Sequence, residues 1–361
     1  MSGSSNTPVA APMEGHGAYN RSSLVQAAGL SPAVLLLENA ARNVELAAPP
    51  EPIVIVDYGS SEGRNSLGPI RVAVDILRDR IGRERPVSVV HTDLPGNDFS
   101  ALFLMLGSDP ASYLQGDTTV FPSAIGRSFY EQILPDASVT LGWSSWAVQW
   151  LSRAPTSIPD QVQIAYSRDA AAKAAFYLQA AQDWQHFLTH RTAELRPGAR
   201  LVILSMAVDD QGDFGYRASV EAIYGSLLDL VAEGFISDAE MRRMVIPTVG
   251  RSREDFLTPF QETGRFTGVT LEEFEIFYGE DRIWKEFEEH GDADRFGKLW
   301  AAFSRASVGP TLASVLEDRA VRAAEFLARL ESKMAARLAA TPEKTSIPLA
   351  KMVLVKKLTT A

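Results

Sequence analysis

Ile53-Val54-Ile55-Val56-Asp57-Tyr58-Gly59-Ser60-Ser61-Glu62-Gly63 decides the fold. The first four residues are apolar and β-branched, with no polar residue between them. Such a run has no face to give to water, so it reads as a strand buried on both sides, as in a parallel sheet. Pro49-Pro50-Glu51-Pro52, just ahead, stops the preceding helix. The Gly/Ser turn then feeds a helix on which Ile70, Val74, Leu77 and Ile81 recur at spacings of 4, 3 and 4, giving one apolar face.

The same alternation continues along the chain. Pro86-Val87-Ser88-Val89-Val90-His91-Thr92-Asp93 reads as a second strand with an acid at its C-terminal end. Val139-Thr140-Leu141-Gly142-Trp143 and Leu201-Val202-Ile203-Leu204 are further strands, the latter after Arg196-Pro197-Gly198. Arg168 to Glu194 is rich in alanine, free of proline and glycine, and helical. Strands alternating with helices imply an open α/β sheet with right-handed crossovers.

Residues 212–300 carry helical patterns and ten of the aromatics, from Phe256 to Trp300, and read as a helical cap inserted in the α/β core. Most of these rings are expected to be the cap's own core. The core is expected over 13–211, with an N-terminal lid, and over 301–361. Ala301 to Ala340 is mainly helix, and Lys351–Lys357 a closing, antiparallel strand. Residues 1–12 are expected to be a disordered tail.

Composition narrows the function. The chain has 361 residues, no cysteine, and a formal charge of −10. Without cysteine there is no disulfide framework, thiolate metal site, iron–sulfur cluster or cysteine nucleophile. The acidic balance argues against nucleic acid as partner. No run of about 18 apolar residues suggests a membrane span, and no secretory signal is visible, which fits a cytoplasmic location. A homodimer is left open.

The turn after the first strand lacks Gly-x-Gly-x-x-Gly and Gly-Lys-Ser/Thr, so neither a dinucleotide fingerprint nor an ATP cradle is present. Its glycines still allow close backbone approach, and an acid at the strand end suits a ligand with a positive end. In an S-adenosylmethionine site the loop would lie under the methionine moiety, and Asp93 would accept from the ribose hydroxyls. A plain strand–turn–helix without a ligand is the bland alternative.

Four more segments are read with this turn: Met13-Glu14-Gly15-His16-Gly17-Ala18-Tyr19-Asn20, Asp93-Leu94-Pro95-Gly96-Asn97-Asp98-Phe99, Ser128-Phe129-Tyr130, and Ser144-Ser145-Trp146-Ala147-Val148-Gln149-Trp150-Leu151-Ser152. In order and spacing the set resembles the SABATH group of carboxyl methyltransferases, named for the salicylic acid, benzoic acid and theobromine enzymes. The likeness runs from about residue 13 to 206, continues through Asp183, Phe187, Leu188, Arg191, Glu194, Leu195 and Pro197-Gly198, and is weak in the cap.

The resemblance implies a Rossmann-like class I methyltransferase sheet, S-adenosylmethionine as cofactor with S-adenosylhomocysteine as product, and a small-molecule carboxylic acid as methyl acceptor. It places Tyr19, Ser22, Asp57, Gly59, Asn65, Asp93, Leu94, Ser128 and Phe129 at the cofactor, Leu94 and Phe129 sandwiching the adenine. Gln26 and Trp150 would donate to the substrate carboxylate, with Tyr19 and Trp146 beside the substrate. Trp146 stands where many relatives have tyrosine. Trp146 and Trp150, four apart, would share a helix face and could equally be plain core. Such a site needs no general base, because a carboxylate is already ionised at neutral pH.

No metal is expected. The five histidines show no metalloprotease pattern, and Arg242-Arg243-Met244-Val245-Ile246-Pro247 stands where some relatives carry a magnesium-type site but lacks the oxygen ligands. The apolar, aromatic cap favours an apolar acid, a fatty acid first and an aromatic or isoprenoid acid next. The rivals are an N-methyltransferase of a small heterocycle and a non-catalytic or NAD-using nucleotide-binding protein.

Overall fold

The computed structural model describes residues 10–15, 25–26, 29–261 and 268–358. After helix α1 (Ser31–Asn43) come β1 (Ile53–Tyr58), α2 (Arg64–Ile81), β2 (Val87–Asp93), α3 (Phe99–Ser108), β3 (Val120–Gly126) and β4 (Val139–Ser145). Helix α4 (Ala170–Glu194) leads into β5 (Leu195–Met206). Next are α5 (Arg217–Ala232), α6 (Asp238–Arg243), α7 (Arg253–Leu257), β6 (Val269–Tyr278), α8 (Arg282–His290), α9 (Ala293–Ala313), α10 (Arg319–Ala340) and β7 (Pro348–Lys356).

The strands form one seven-stranded sheet in the order β3-β2-β1-β4-β5-β7-β6. β1, β2, β3, β4 and β5 are mutually parallel, while β7 runs antiparallel to both neighbours. The chain moves outward from β1 to β3, then returns to the other side of β1 with β4. Ligands of open α/β sheets sit outside the strand C-termini at such a reversal.

The apolar run explains β1. Ile53, Ile55 and Val56 are fully buried, as helices cover both faces of the central strands. On α2, Ile70, Val74 and Leu77 form the buried face, with Ile81 partly covered. Asp98 and Asp169 cap α3 and α4 by accepting from Ala101 and Ala172.

Three expectations are corrected. Residues 269–278, read as part of the helical cap, are β6, which pairs with β7 along its length and belongs to the sheet. Its period-two pattern is interrupted by a bulge between Leu271 and Glu273. Trp146 and Trp150 do not share a helix, because β4 ends at Ser145 and a turn follows. In the expected tail, Ala10–Pro12 are described, and the Ala11 N–H donates to Thr311 Oγ1 at 3.1 Å. The rest of that tail lies outside the described residues, as do Tyr19 and Ser22.

Candidate active site

The turn after β1 is fixed from β2. The N–H groups of Gly59 and Ser60 both donate to the Thr92 carbonyl, at 2.9 and 3.0 Å. Gly59 has φ +88°, and a Cβ there would lie 2.4 Å from the Ala147 Cβ, so only glycine fits. Ser61, at φ +49°, aims its N–H at Asp93 Oδ2, 2.7 Å away, and the Leu94 N–H reaches Oδ1 at 2.8 Å. Each Asp93 oxygen thus has one backbone donor and capacity for another. Burial pushes the Asp93 carboxyl up to about 6 against the pull of these two N–H groups, and the Asp57 charge adds to the rise.

A second support lies under the loop that carries Phe129. Arg191 Nη1 donates to the Phe129 carbonyl at 2.6 Å, and Nη2 donates to the Glu131 carbonyl and Glu194 Oε1, both at 2.8 Å. Glu194 also accepts from the Ile133 and Leu134 N–H groups and the Tyr58 hydroxyl. The Arg191 guanidinium stacks 4.4 Å above the Tyr58 ring. Burying this pair is tolerable because every charge has several partners.

These supports frame a cavity at the strand C-termini. Gly59, Ser61, Asp93, Leu94, Ser128 and Phe129 line it from one side of the sheet's reversal, Ser145 and Trp146 from the other. Ser61 Oγ and Ser145 Oγ are buried without a hydrogen-bond partner. Asp57 and Asn65 are not on this wall. The Asp57 carboxylate lies under the turn, 3.0 Å from His91 Nδ1, whose other nitrogen is 2.9 Å from the Tyr113 hydroxyl.

A second cavity adjoins the first, and Met13, Trp146 and Trp150 line both. Its wall is Met206, Phe214, Tyr216, Val220, Ile223, Ile246, Phe303 and Val308, with Gln26, Gln149, Gln163, Thr248 and three serines. Among the described residues, no Asp, Glu, Lys, Arg or His lines it. Gln163 and Gln149 are engaged, by Thr248 and by the Trp146 carbonyl and Ser205. Gln26 is buried with its Oε1 unpartnered.

The turn between the tryptophans is held at many points. The Tyr130 hydroxyl donates to the Trp150 carbonyl at 2.5 Å, and Arg251 Nη1 to that of Val148 at 2.5 Å. Asp183 accepts from the N–H and hydroxyl of Ser152, and the Leu151 N–H donates to Pro247. This girdle brings both indoles to the junction of the cavities. Sequence reading singled out Arg191, Glu194 and Asp183 only as points of likeness, and passed over Ser61, Gln149 and Arg251. A buried arginine or aspartate inside an apolar pattern was the available signal.

Among the described residues, no group of three or more His, Asp or Glu could hold a metal ion. In the stretch beside the cap, Met244, Val245 and Ile246 are buried, and Ile246 lines the second cavity. No helix among the described residues is long and apolar enough to cross a membrane.

Comparison with known proteins agrees with this geometry. The family described as SAM dependent carboxyl methyltransferase matches residues 9–357. The chain is 26% identical to an indole-3-acetate O-methyltransferase of Arabidopsis thaliana over 322 residues, 82% of each protein. It is 28% identical to a benzoic acid/salicylic acid carboxyl methyltransferase of Petunia hybrida over 271 residues, 72% of this chain and 76% of that one. Among solved structures, a loganic acid methyltransferase with S-adenosylhomocysteine superposes with a TM-score of 0.77 at 20% identity, covering 96% of this chain and 99% of that one.

Proposed function

The chain belongs to the family of S-adenosylmethionine-dependent carboxyl methyltransferases, and on that premise we propose that it forms methyl esters of small apolar carboxylic acids, fatty acids first among them. One observation carries this reading. The cavity at the strand C-termini meets, at Trp146 and Trp150, a chamber whose lining among the described residues has no charged side chain.

S-adenosylmethionine is the methyl donor, and when bound it supplies a methyl group already activated on a sulfonium. The lining of the cavity at the strand C-termini fits it. Asp93 would take the ribose hydroxyls with the lone pairs that Ser61 and Leu94 leave free. Leu94 and Phe129 would flank the adenine. The orphaned Ser61 and Ser145 hydroxyls offer further polar contacts in the same cavity. Expected contacts from Tyr19 and Ser22 lie outside the described residues. For Asp57 and Asn65 we propose indirect support, since neither lines the cavity.

The acid's own carboxylate is the nucleophile at neutral pH, so the chain has no proton to remove. Its work is alignment, which can supply roughly 7 kcal/mol or more in favourable systems. Gln26 and Trp150 would each donate one N–H to the carboxylate. Neither carries a charge, so the nucleophilic oxygen keeps its own. The apolar chamber excludes water from around it.

The aliphatic side chains of Met206, Val220, Ile223, Ile246 and Val308 make up much of the chamber's described wall, which supports a fatty or isoprenoid acid. An aromatic acid is the second reading, favoured by relatives whose names specify indole-3-acetate and benzoic or salicylic acid. A panel of free acids, incubated with S-adenosylmethionine and assayed for methyl esters by mass spectrometry, separates the two. Turnover that rises with alkyl length supports fatty acids; turnover confined to benzoate, salicylate or indole-3-acetate supports the second reading and rejects the first.

A further inference from the structure

Trp146 has the backbone of a glycine. Its φ is +56°, a conformation that bulky residues adopt only where the surroundings hold them. Here the surroundings do: the Trp146 N–H donates to the Leu204 carbonyl at 2.9 Å, and the Trp146 carbonyl accepts from Gln149 Nε2 at 2.5 Å. With the backbone pinned, the indole is delivered to the segment that carries Gln26. Its Nε1–H donates to the Gln26 main-chain carbonyl at 3.1 Å, a buried bond across 120 residues of sequence. That carbonyl also accepts from the Gly29 N–H at 3.2 Å.

Gly29 makes the fit possible. A Cβ at Gly29 would lie 2.9 Å from Trp146 Cζ2 and 2.7 Å from Leu349 Cδ1. The main chain therefore passes flat against the indole, and a side chain at this position would have to push the ring or Leu349 aside. Trp146 is thus engaged on the backbone side of Gln26, while the Gln26 side chain lines the acid chamber and leaves its Oε1 unpartnered. An indole N–H committed to a main-chain carbonyl is not offered to a substrate.

We infer that Trp146 is a positioning residue: its indole N–H and the ring face under Gly29 fix the Gln26 backbone, and so aim the Gln26 amide into the acid chamber. The aromatic wall and the latch are one side chain. This rests on the reading of Gln26 as a donor to the substrate carboxylate.

The experiment is a double-mutant cycle on kcat/KM for the best acid, with the cooperative denaturant-unfolding transition as the control for folding. Trp146→Phe deletes the N–H and leaves the Gln26 carbonyl its weaker partner, so kcat/KM should fall between about three- and tenfold. Gln26→Leu should lower it as well. On the Gln26→Leu background, Trp146→Phe should change kcat/KM by no more than about 1.5-fold, because it acts only through Gln26. Gly29→Ala pushes on the same contact from the other side and should repeat the pattern, which keeps the test open if Trp146→Phe does not fold. Full additivity would overturn the inference, since Trp146 would then act independently of Gln26. So would Trp146→Phe and Gly29→Ala at the wild-type rate while Gln26→Leu is slow, a result that leaves the carboxylate clamp standing. A wild-type rate in Gln26→Leu would remove the clamp itself and the inference with it.

Discussion

Replacing Asp93 by asparagine keeps the shape of the side chain and removes its charge. In the folded protein each carboxylate oxygen accepts one backbone N–H, from Ser61 and from Leu94, and has capacity for one ribose hydroxyl. A carboxamide has a single acceptor oxygen, and its NH2 must face one of those two N–H groups. The variant therefore loses a charged acceptor and leaves a backbone donor unsatisfied. A hydrogen bond to a charged group is worth roughly 1.5–3 kcal/mol, so the Kd for S-adenosylhomocysteine should rise about 10- to 150-fold. The pH dependence supplies a second signature. Because burial raises the Asp93 carboxyl to about 6, the charged form dominates above that pH and is lost as pH falls through it. At pH 5 only about one molecule in eleven retains the charge, so the wild-type Kd should be about tenfold higher than at neutral pH. In Asp93→Asn that rise should be absent. Isothermal titration from pH 7.5 to 5 reads both effects. A wild-type affinity that is flat across this range, or an Asp93→Asn protein that binds as tightly as wild type, would refute the ribose assignment.

Three other outcomes follow from the site. Trp150→Phe and Gln26→Leu should each lower kcat/KM for the best acid roughly 10- to 100-fold, less than additively when combined, and Gln26→Leu should leave cofactor affinity unchanged by titration. Arg191→Met leaves Glu194 buried without its counter-charge, so denaturant unfolding should show a loss of about 3–5 kcal/mol; binding of S-adenosylhomocysteine should weaken too, because the Phe129 carbonyl loses its donor. Activity should survive EDTA and stay flat from about pH 7 to 9, where no base must ionise; magnesium-dependent recovery of a chelated enzyme would show that the stretch around Arg242–Val245 was misread.

The sequence exposed those parts of the fold that follow a simple period. β1 is buried on both faces and opens on an unbroken apolar run, β2 carries Val87, Val89 and Val90 ahead of its terminal acid, and α2 keeps one apolar face. β3 was missed, because an edge strand with Pro122 inside it and Phe121 facing solvent has no such run. β6 was taken for cap helix although Phe274 and Ile276 alternate with Glu273 and Glu275; the bulge at Leu271/Glu273 breaks the alternation where it begins. The tryptophan pair was placed on a helix because a spacing of four suits one, whereas a φ of +56° at Trp146 has no trace in a residue's identity. The motifs brought Asp93, Leu94, Ser128 and Phe129 to one cavity and Gln26 and Trp150 to the next. They did not reveal that Asp57 turns to His91, because a strand-end acid looks the same whether it faces a ligand or a neighbouring strand.

Transfer of the methyl group to a carboxylate oxygen is the central claim, and a labelled donor tests it directly. The full-length protein is incubated with S-adenosylmethionine carrying a deuterated methyl group and the best acid from the panel, and the product is analysed by mass spectrometry before and after saponification. The account predicts one labelled methyl per acid, released as labelled methanol by base with recovery of the free acid. A label that resists saponification, or no labelled product from any acid while S-adenosylhomocysteine still binds, would contradict it.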